Sequence, residues 1–199
     1  MTNSFWNKRY SQKDFVYGES PNIFFAETLK KLKSGKIILP CDGEGRNAVY
    51  AAREGWEVKA FDLSDAGKLK ADHLALKYGV EIDFQIMDAE LATFSDESTD
   101  VVAFIYAHLP PEVRKTLHQN SIKWLKPGGK VILEVFCPDQ LNNSSGGPKD
   151  LNLLYTKEML SDDFKDLKIE LLEYKKIELN EGKFHKGIAA VIRMIASKV

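Results

Sequence analysis

Lys36-Ile-Ile-Leu-Pro-Cys-Asp-Gly-Glu-Gly-Arg-Asn-Ala48 constrains the fold more than any other stretch: a short apolar, β-branched run passes through a glycine-bearing turn straight into a helix. Lys36 to Leu39 reads as a buried strand, Gly43 and Gly45 permit positive φ or close approach of another group, and Ala48, Val49, Ala51 and Ala52 begin an apolar helical face. A helix that starts on such a turn directs its unpaired N–H groups at whatever lies beyond the strand. Glycine turns of this kind also serve purely steric ends, so the turn needs a second signal.

Asp62 supplies it. It ends a second strand-like run, Glu57 to Phe61, seventeen residues after Gly45, and an acid at that offset is placed to accept hydrogen bonds from ribose hydroxyls. The turn reads Cys41-x-Gly43-x-Gly45, which lacks the first glycine of G-x-G-x-x-G and has the wrong spacing after Gly45. A ligand with one ribose and an adenine therefore fits better than a dinucleotide.

Around this unit the chain alternates between two periods. Strands are predicted near 36–40, 57–61, 82–87, 100–106 and 130–136. Helices are predicted over about 45–54, over 65–78 between Ser64 and Gly79, and over 111–125 between Pro110-Pro111 and Pro127-Gly128-Gly129. This alternation predicts an α/β fold with a parallel sheet, helices on both faces, and ligands beyond the carboxyl ends of the strands at the topological switch point. Upstream, Ser20-Pro21 is expected to open a helix with Ile23, Phe24, Leu29 and Leu32 inward and Gly35 past its end. The first twenty residues carry Phe5, Trp6, Tyr10, Phe15 and Tyr17, as a helix covering the core or as a lid whose Tyr17-Gly18 turn reaches the ligand. After the fifth strand, 137–148 is the longest loop-forming segment, placed as a substrate cover or as a disordered insertion. A helix near 156–164 then leads to runs 167–179 and 186–197, joined at Asn180 to Lys183 as an antiparallel hairpin, with Glu181 and His185 read as its solvated end.

Further positions fall on the same rim. Asp88 is placed to accept from an adenine amino group with Ala89 supplying backbone, or is an ordinary turn acid. Ile105-Tyr106-Ala107-His108 ends the fourth run, where His108 could be a base, an orienter or a helix-start donor. At 199 residues with 44% apolar content the chain is expected to be one domain, 1–199: a cover segment and first helix over 1–34, a core over 36–136, a substrate-side loop over 137–155, and a helix and hairpin over 156–199. A net charge of −1 predicts no general attraction to nucleic acid or anionic lipid. Cys41 and Cys137, without C-x-x-C spacing, make zinc or disulfides unexpected and point to a reducing compartment. Neither a secretory apolar core nor an 18-residue apolar span is present, so a cytoplasmic protein without membrane contact, monomer or homodimer, is expected.

Together, the glycine turn, Asp62, Asp88, Leu125-Lys-Pro-Gly-Gly129 and the terminal hairpin resemble the class I S-adenosylmethionine-dependent methyltransferases over nearly the whole chain. Gly43-Glu-Gly-Arg-Asn-Ala48, His108-Leu-Pro-Pro111 and Glu181-Gly-x-x-His185-x-Gly187 are similar to the tellurite-resistance and thiopurine methyltransferase-like branch. The resemblance implies a Rossmann-like, doubly wound, seven-stranded mixed sheet in order 3-2-1-4-5-7-6 with strand 7 antiparallel. It implies S-adenosylmethionine as cofactor and S-adenosylhomocysteine as product, with Gly43 and Gly45 beside the methionine part, Asp62 on the ribose, Leu63 against adenine, Asp88 and Ala89 at the adenine edge, and Ile105 on the cofactor side. The family's acid two residues before its first glycine is missing, since Leu39, Pro40 and Cys41 stand there and Asp42 falls one register away. The expected activity is in-line methyl transfer to a small-molecule acceptor such as a thiol or chalcogen oxyanion, in a pocket of Tyr17, Tyr106, His108 and the 137–148 loop. A hydroxyl or amine acceptor would need His108 or Tyr106 to remove or orient a proton. The alternatives are a noncatalytic cofactor-binding module, a nicotinamide-dependent oxidoreductase, and a nucleic-acid methyltransferase, the last weakened by neutral charge and the absence of an Asn-Pro-Pro-Tyr-type tetrapeptide.

Overall fold

The computed structural model describes residues 2–199. Seven strands, β1 (Lys36–Pro40), β2 (Glu57–Asp62), β3 (Asp83–Ile86), β4 (Thr99–Ile105), β5 (Leu125–Phe136), β6 (Lys168–Asn180) and β7 (Lys186–Ser197), form one sheet in the order β3-β2-β1-β4-β5-β7-β6. Pairings within β1 to β5 are parallel, and β7 runs antiparallel between β5 and β6. This is the Rossmann-like, doubly wound order with one antiparallel strand that the sequence predicts. The helices are α1 (Asn3–Tyr10), α2 (Ile23–Leu29), α3 (Arg46–Arg53), α4 (Asp65–Tyr78), α5 (Pro111–Trp124) and α6 (Lys157–Asp163). None of the described helices is long and apolar enough to cross a membrane.

Alternation along the central strands sorts side chains onto two faces. Ile38, Val102, Phe104 and Leu133 pack under Leu117 and Trp124 of α5 and Leu160 of α6. Ile37, Leu39, Val101, Ala103 and Ile132 pack against Phe25 and Leu29 of α2 and Ala48 and Ala51 of α3. Each fully buried Leu, Ile or Phe contributes about 1.5–3 kcal/mol, which holds the strand ends rigidly under the site.

Local boundaries differ from the sequence expectation at two places. The N-cap of α2 is Asn22, not Ser20; its side chain accepts from the Phe25 N–H, and α2 ends at Leu29. Ile23 is 63% exposed because the helix starts two residues late, while Phe24 and Leu29 are buried. Strand β5 begins at Leu125, not near 130: Leu125 pairs with Thr99, Lys130 pairs with Val101, and the Pro-Gly-Gly residues between them bulge out. Gly128 takes φ +78 there and donates its N–H to the Lys198 carbonyl at 2.8 Å.

Candidate functional site

The connections from β1 and β4 leave the sheet in opposite directions, so their carboxyl ends open a crevice. At both ends a non-glycine residue is forced left-handed, Cys41 with φ +57 and Tyr106 with φ +53. Such backbone costs about 1–2 kcal/mol per residue and persists because the flanking strands over-determine it. A cleft of about 780 Å³ fills the crevice, within the range of small-molecule sites.

Gly43 (φ +57) and Gly45 (φ +81) do different work. Gly43 lines the cleft, and a Cβ there would lie 2.6 Å from the Tyr10 hydroxyl. Gly45 does not line it: a Cβ there would lie 2.4 Å from Ala71 Cβ, so this glycine serves the packing of α3 against α4. Gly45, expected beside the methionine part, thus sits beneath the cleft between Glu44 and Arg46, which line it. Asp42 lines the cleft although the family register passes over it; its carboxylate accepts from Ala48 N–H and Asn47 Nδ2, each at 3.0 Å, and so caps α3. Burial pushes its pKa up to about 7.

Asp62 ends β2 with its carboxylate in the cleft. One oxygen accepts from Gly43 N–H and the other from Ser64 N–H, both at 3.0 Å. Two of its roughly four lone-pair sites remain for a ligand's donors. Burial raises its pKa to about 6 against those two N–H groups. Asp88 accepts from Glu90 N–H with one oxygen and leaves the other open, while Leu63, Met87, Ala89 and Ile105 give the same end apolar walls. Two acids with spare acceptor capacity, apolar surfaces between them and a bare glycine backbone fit a ribose, an adenine and a short polar chain.

The opposite end is lined by rings. Tyr106 stacks on Phe136 at 4.6 Å, and its hydroxyl donates to Glu134 at 2.7 Å. Glu134 is 0% exposed and also accepts from Asn22 Nδ2 and Arg193 Nε, each at 2.6 Å, so Tyr106 is rigidly held. Burial and the Glu134 charge drive the Tyr106 pKa well above its ordinary value. His108 lines the cleft but is spent: Nδ1 lies 2.6 Å from the Leu153 carbonyl and Nε2 accepts from Phe136 N–H at 3.2 Å. Burial lowers its pKa to about 4. With both nitrogens engaged, His108 supplies a ring face and no free base, which corrects the catalytic role considered for it.

His185 and Glu181 overturn the solvated-hairpin reading. His185 is 5% exposed, lines the cleft, and packs 4.4 Å from Tyr17 and 4.7 Å from Tyr106 between ring centroids. Its Nδ1 lies 3.2 Å from Glu181 Oε2, which also accepts from Arg46 Nη2 at 2.9 Å. A carboxylate only accepts, so Nδ1 carries the proton and Nε2 holds a lone pair. Burial holds the His185 pKa below its ordinary value despite the Glu181 charge, which keeps the ring neutral at pH 7. The signal was present in the sequence as Glu181-Gly-x-x-His185, but a four-residue spacing across a turn does not say which way the turn faces.

The N-terminal segment closes the cleft. Asn3 and Asn7 of α1 bond to the start of α4 through Leu63 O and Asp65, and Phe5, Trp6, Arg9 and Tyr10 line the cavity. The helix and Tyr17 thus line the same cleft. Val16 and Tyr17 N–H groups donate to Glu44, itself paired with Lys70 at 2.7 Å, and Arg46 Nη1 donates to the Tyr17 and Ser20 carbonyls. The loop after β5 is ordered by Gln140, which bonds Ser145 Oγ, Gly146 O and Ala190 N–H, so Gly147 to Asp150 stand at the cleft mouth. Of the expected site residues, the structure brings Tyr17, Gly43, Asp62, Leu63, Asp88, Ala89, Ile105, Tyr106 and His108 into one cleft and leaves Gly45 beneath it.

Comparison with known proteins places this cleft in context. A family described as "Methyltransferase domain" matches residues 40–129. Phosphoethanolamine N-methyltransferase 1 of Zea mays is 29% identical over 136 residues, covering 67% of this chain and 26% of the maize protein. The chain thus spans about a quarter of the length of that relative. A thiopurine S-methyltransferase of Legionella pneumophila (strain Corby) is 23% identical over 212 residues, covering 94% of this chain and 93% of that protein. Among solved structures, TehB from Haemophilus influenzae superposes with a TM-score of 0.74 at 17% identity, covering 99% of this chain and 67% of that one.

Proposed function

We propose that the chain is a class I S-adenosylmethionine-dependent methyltransferase, which transfers a methyl group from S-adenosylmethionine to a small-molecule acceptor. One observation carries the reading: a single cleft pairs an acid-and-glycine end suited to the cofactor with a ring-lined end suited to an acceptor. When bound, S-adenosylmethionine supplies a methyl group made electrophilic by its sulfonium.

The chain's own residues hold and orient. Asp62 accepts from the ribose hydroxyls, Asp88 accepts at the adenine edge, Leu63 and Ala89 flank the base, and the Gly43 turn receives the methionine part. At the other end Tyr17, Tyr106, Phe136 and the His108 face form a polarisable wall that excludes water and suits a soft acceptor. A sulfur acceptor is further supported by the thiopurine S-methyltransferase relative, which matches along almost its whole length. A chalcogen oxyanion is the second acceptor of this soft kind. His185, neutral and oriented by Glu181, takes the proton of a protonated acceptor on Nε2 as its nucleophile develops.

Calorimetric titration with S-adenosylmethionine and S-adenosylhomocysteine, with NADH as comparator, tests the cofactor half. Both sulfur compounds are expected to bind and NADH to fail; absence of sulfur-cofactor binding would end this reading. A screen of small thiols and chalcogen oxyanions tests the acceptor half. With a proton-bearing acceptor, His185→Ala is expected to lower kcat/KM by about 10²–10⁴ while S-adenosylhomocysteine affinity holds. Unchanged turnover would remove His185 from the chemistry.

A further inference from the structure

The wall at the ring-lined end contains an arginine without an acid. Arg9 donates an Nη1–H to the Tyr17 hydroxyl at 2.9 Å and lies over the Phe184 ring at 4.5 Å and the Phe5 ring at 4.9 Å. Arg46, Arg114 and Arg193 each pair with a carboxylate; Arg9 pairs with none among the described residues. Aromatic faces hold a guanidinium in place without neutralising it, so its remaining donors keep their full charge. Because the Tyr17 hydroxyl accepts from Arg9, its own proton is free for another partner.

Behind Arg9 lies a second recess of about 250 Å³, and it shares Arg9, Tyr17 and Gly147 with the main cleft. Lys183, Phe184 and Lys186 from the hairpin and Ser144 and Gly146 from the loop after β5 complete its wall, and no acid lines it among the described residues. Gly146 and Gly147 take φ +114 and +79, and neither backbone N–H meets a backbone acceptor among the described residues. Three basic residues, two hydroxyl-bearing residues and two glycines with open N–H groups thus line one small space in a chain whose net charge is only −1, and Lys183 Nζ meets there no acid but the Gln12 side-chain oxygen at 3.4 Å. Like charges brought together repel unless an anion joins them, and each charge-assisted hydrogen bond to that anion is about twice as strong as a neutral one.

We propose that this recess is an anion subsite of the acceptor pocket. It takes the phosphate, carboxylate or other oxyanion group of a small acceptor whose methylatable atom lies in the adjoining cleft. That the bound molecule is the acceptor rests on the methyl-transfer reading; that the recess takes an anion does not. The recess lies between the hairpin and the loop after β5, across the cleft from Asp62 and Asp88, which assigns it to the acceptor and not to the cofactor.

The test titrates the full chain, free and saturated with S-adenosylhomocysteine, with inorganic phosphate and separately with acetate, against chloride at equal ionic strength. Saturable binding of phosphate or acetate to the S-adenosylhomocysteine-loaded protein is expected, weakened at least tenfold in the exposed double variant Lys183→Gln/Lys186→Gln with S-adenosylhomocysteine affinity unchanged. The stronger of the two ligands identifies the anionic group. No saturable binding, or equal binding by the variant, would overturn the proposal. Binding that S-adenosylhomocysteine displaces would also overturn it, because the recess would then hold the cofactor's carboxylate. Failure of S-adenosylhomocysteine to bind, with phosphate binding intact and lost in the variant, would sink the methyl-transfer reading and support the anion site.

Discussion

Asp62 faces two demands that pull its proton in opposite directions. Burial raises its pKa to about 6 in the free protein, whereas a ribose needs the ionised carboxylate as acceptor. With that pKa, about a tenth of the protein carries the charge at pH 5, so S-adenosylhomocysteine should bind roughly tenfold more weakly at pH 5 than at pH 7.5. Calorimetry across that range decides it, and Asp62→Asn should weaken binding by about tenfold or more and remove the pH step. The same shifts act on stability. Asp42 and Asp62 have native pKa values above their unfolded ones, so their contribution is full below about 4 and is lost as pH rises through about 7 and about 6. His108, lowered to about 4, contributes above 6.5 and loses that contribution as pH falls. Thermal melts from pH 5 to 8 should therefore show a stability slope that Asp42→Asn flattens on its alkaline side.

At the scale of elements, the glycine turn is a joint between helices as much as a ligand loop. Gly45 lets α3 pass against α4 where Ala71 leaves no room, and Gly67 lets α4 start within contact of the Gly43 carbonyl. Gly45→Ala combines a left-handed backbone at φ +81 with a clash at 2.4 Å, and should cost about 2–4 kcal/mol in urea unfolding. Gly43→Ala shares the left-handed backbone cost at φ +57 but meets only the end of the Tyr10 ring at 2.6 Å, so α1 can yield; it should destabilise less than Gly45→Ala and act also on cofactor affinity. Equal destabilisation by the two substitutions would contradict this division. On the far face, His118 and Arg114 of α5 both bond Asp163 of α6, a buried cluster that fastens the two helices away from the cleft.

Across the whole molecule, segments far apart in sequence meet above the sheet. Arg46 joins the N-terminal strap, through the Tyr17 and Ser20 carbonyls, to Glu181 of the hairpin 135 residues away, and Gly18 packs directly against the backbone of Gly182. Arg46→Gln should speed amide hydrogen exchange in 15–20 and 181–185 while β1 and β4 stay protected; unchanged exchange would show that the rings alone hold the strap. The sequence by itself determined the alternation of strands and helices, the sheet order through family resemblance, the glycine turn and the acids at the ends of β2 and β3. These are properties of local period, turn chemistry and strand ends, which neighbours in sequence decide. Only the tertiary structure decided that His108 is spent on Leu153 and Phe136, that Asn22 and not Ser20 caps α2, that Gly45 packs and does not line, and that His185 turns inward toward Glu181, Tyr17 and Tyr106. Those outcomes depend on which groups arrive from 45, 112 or 168 residues away to take up a hydrogen bond or exclude water, and no local pattern records them.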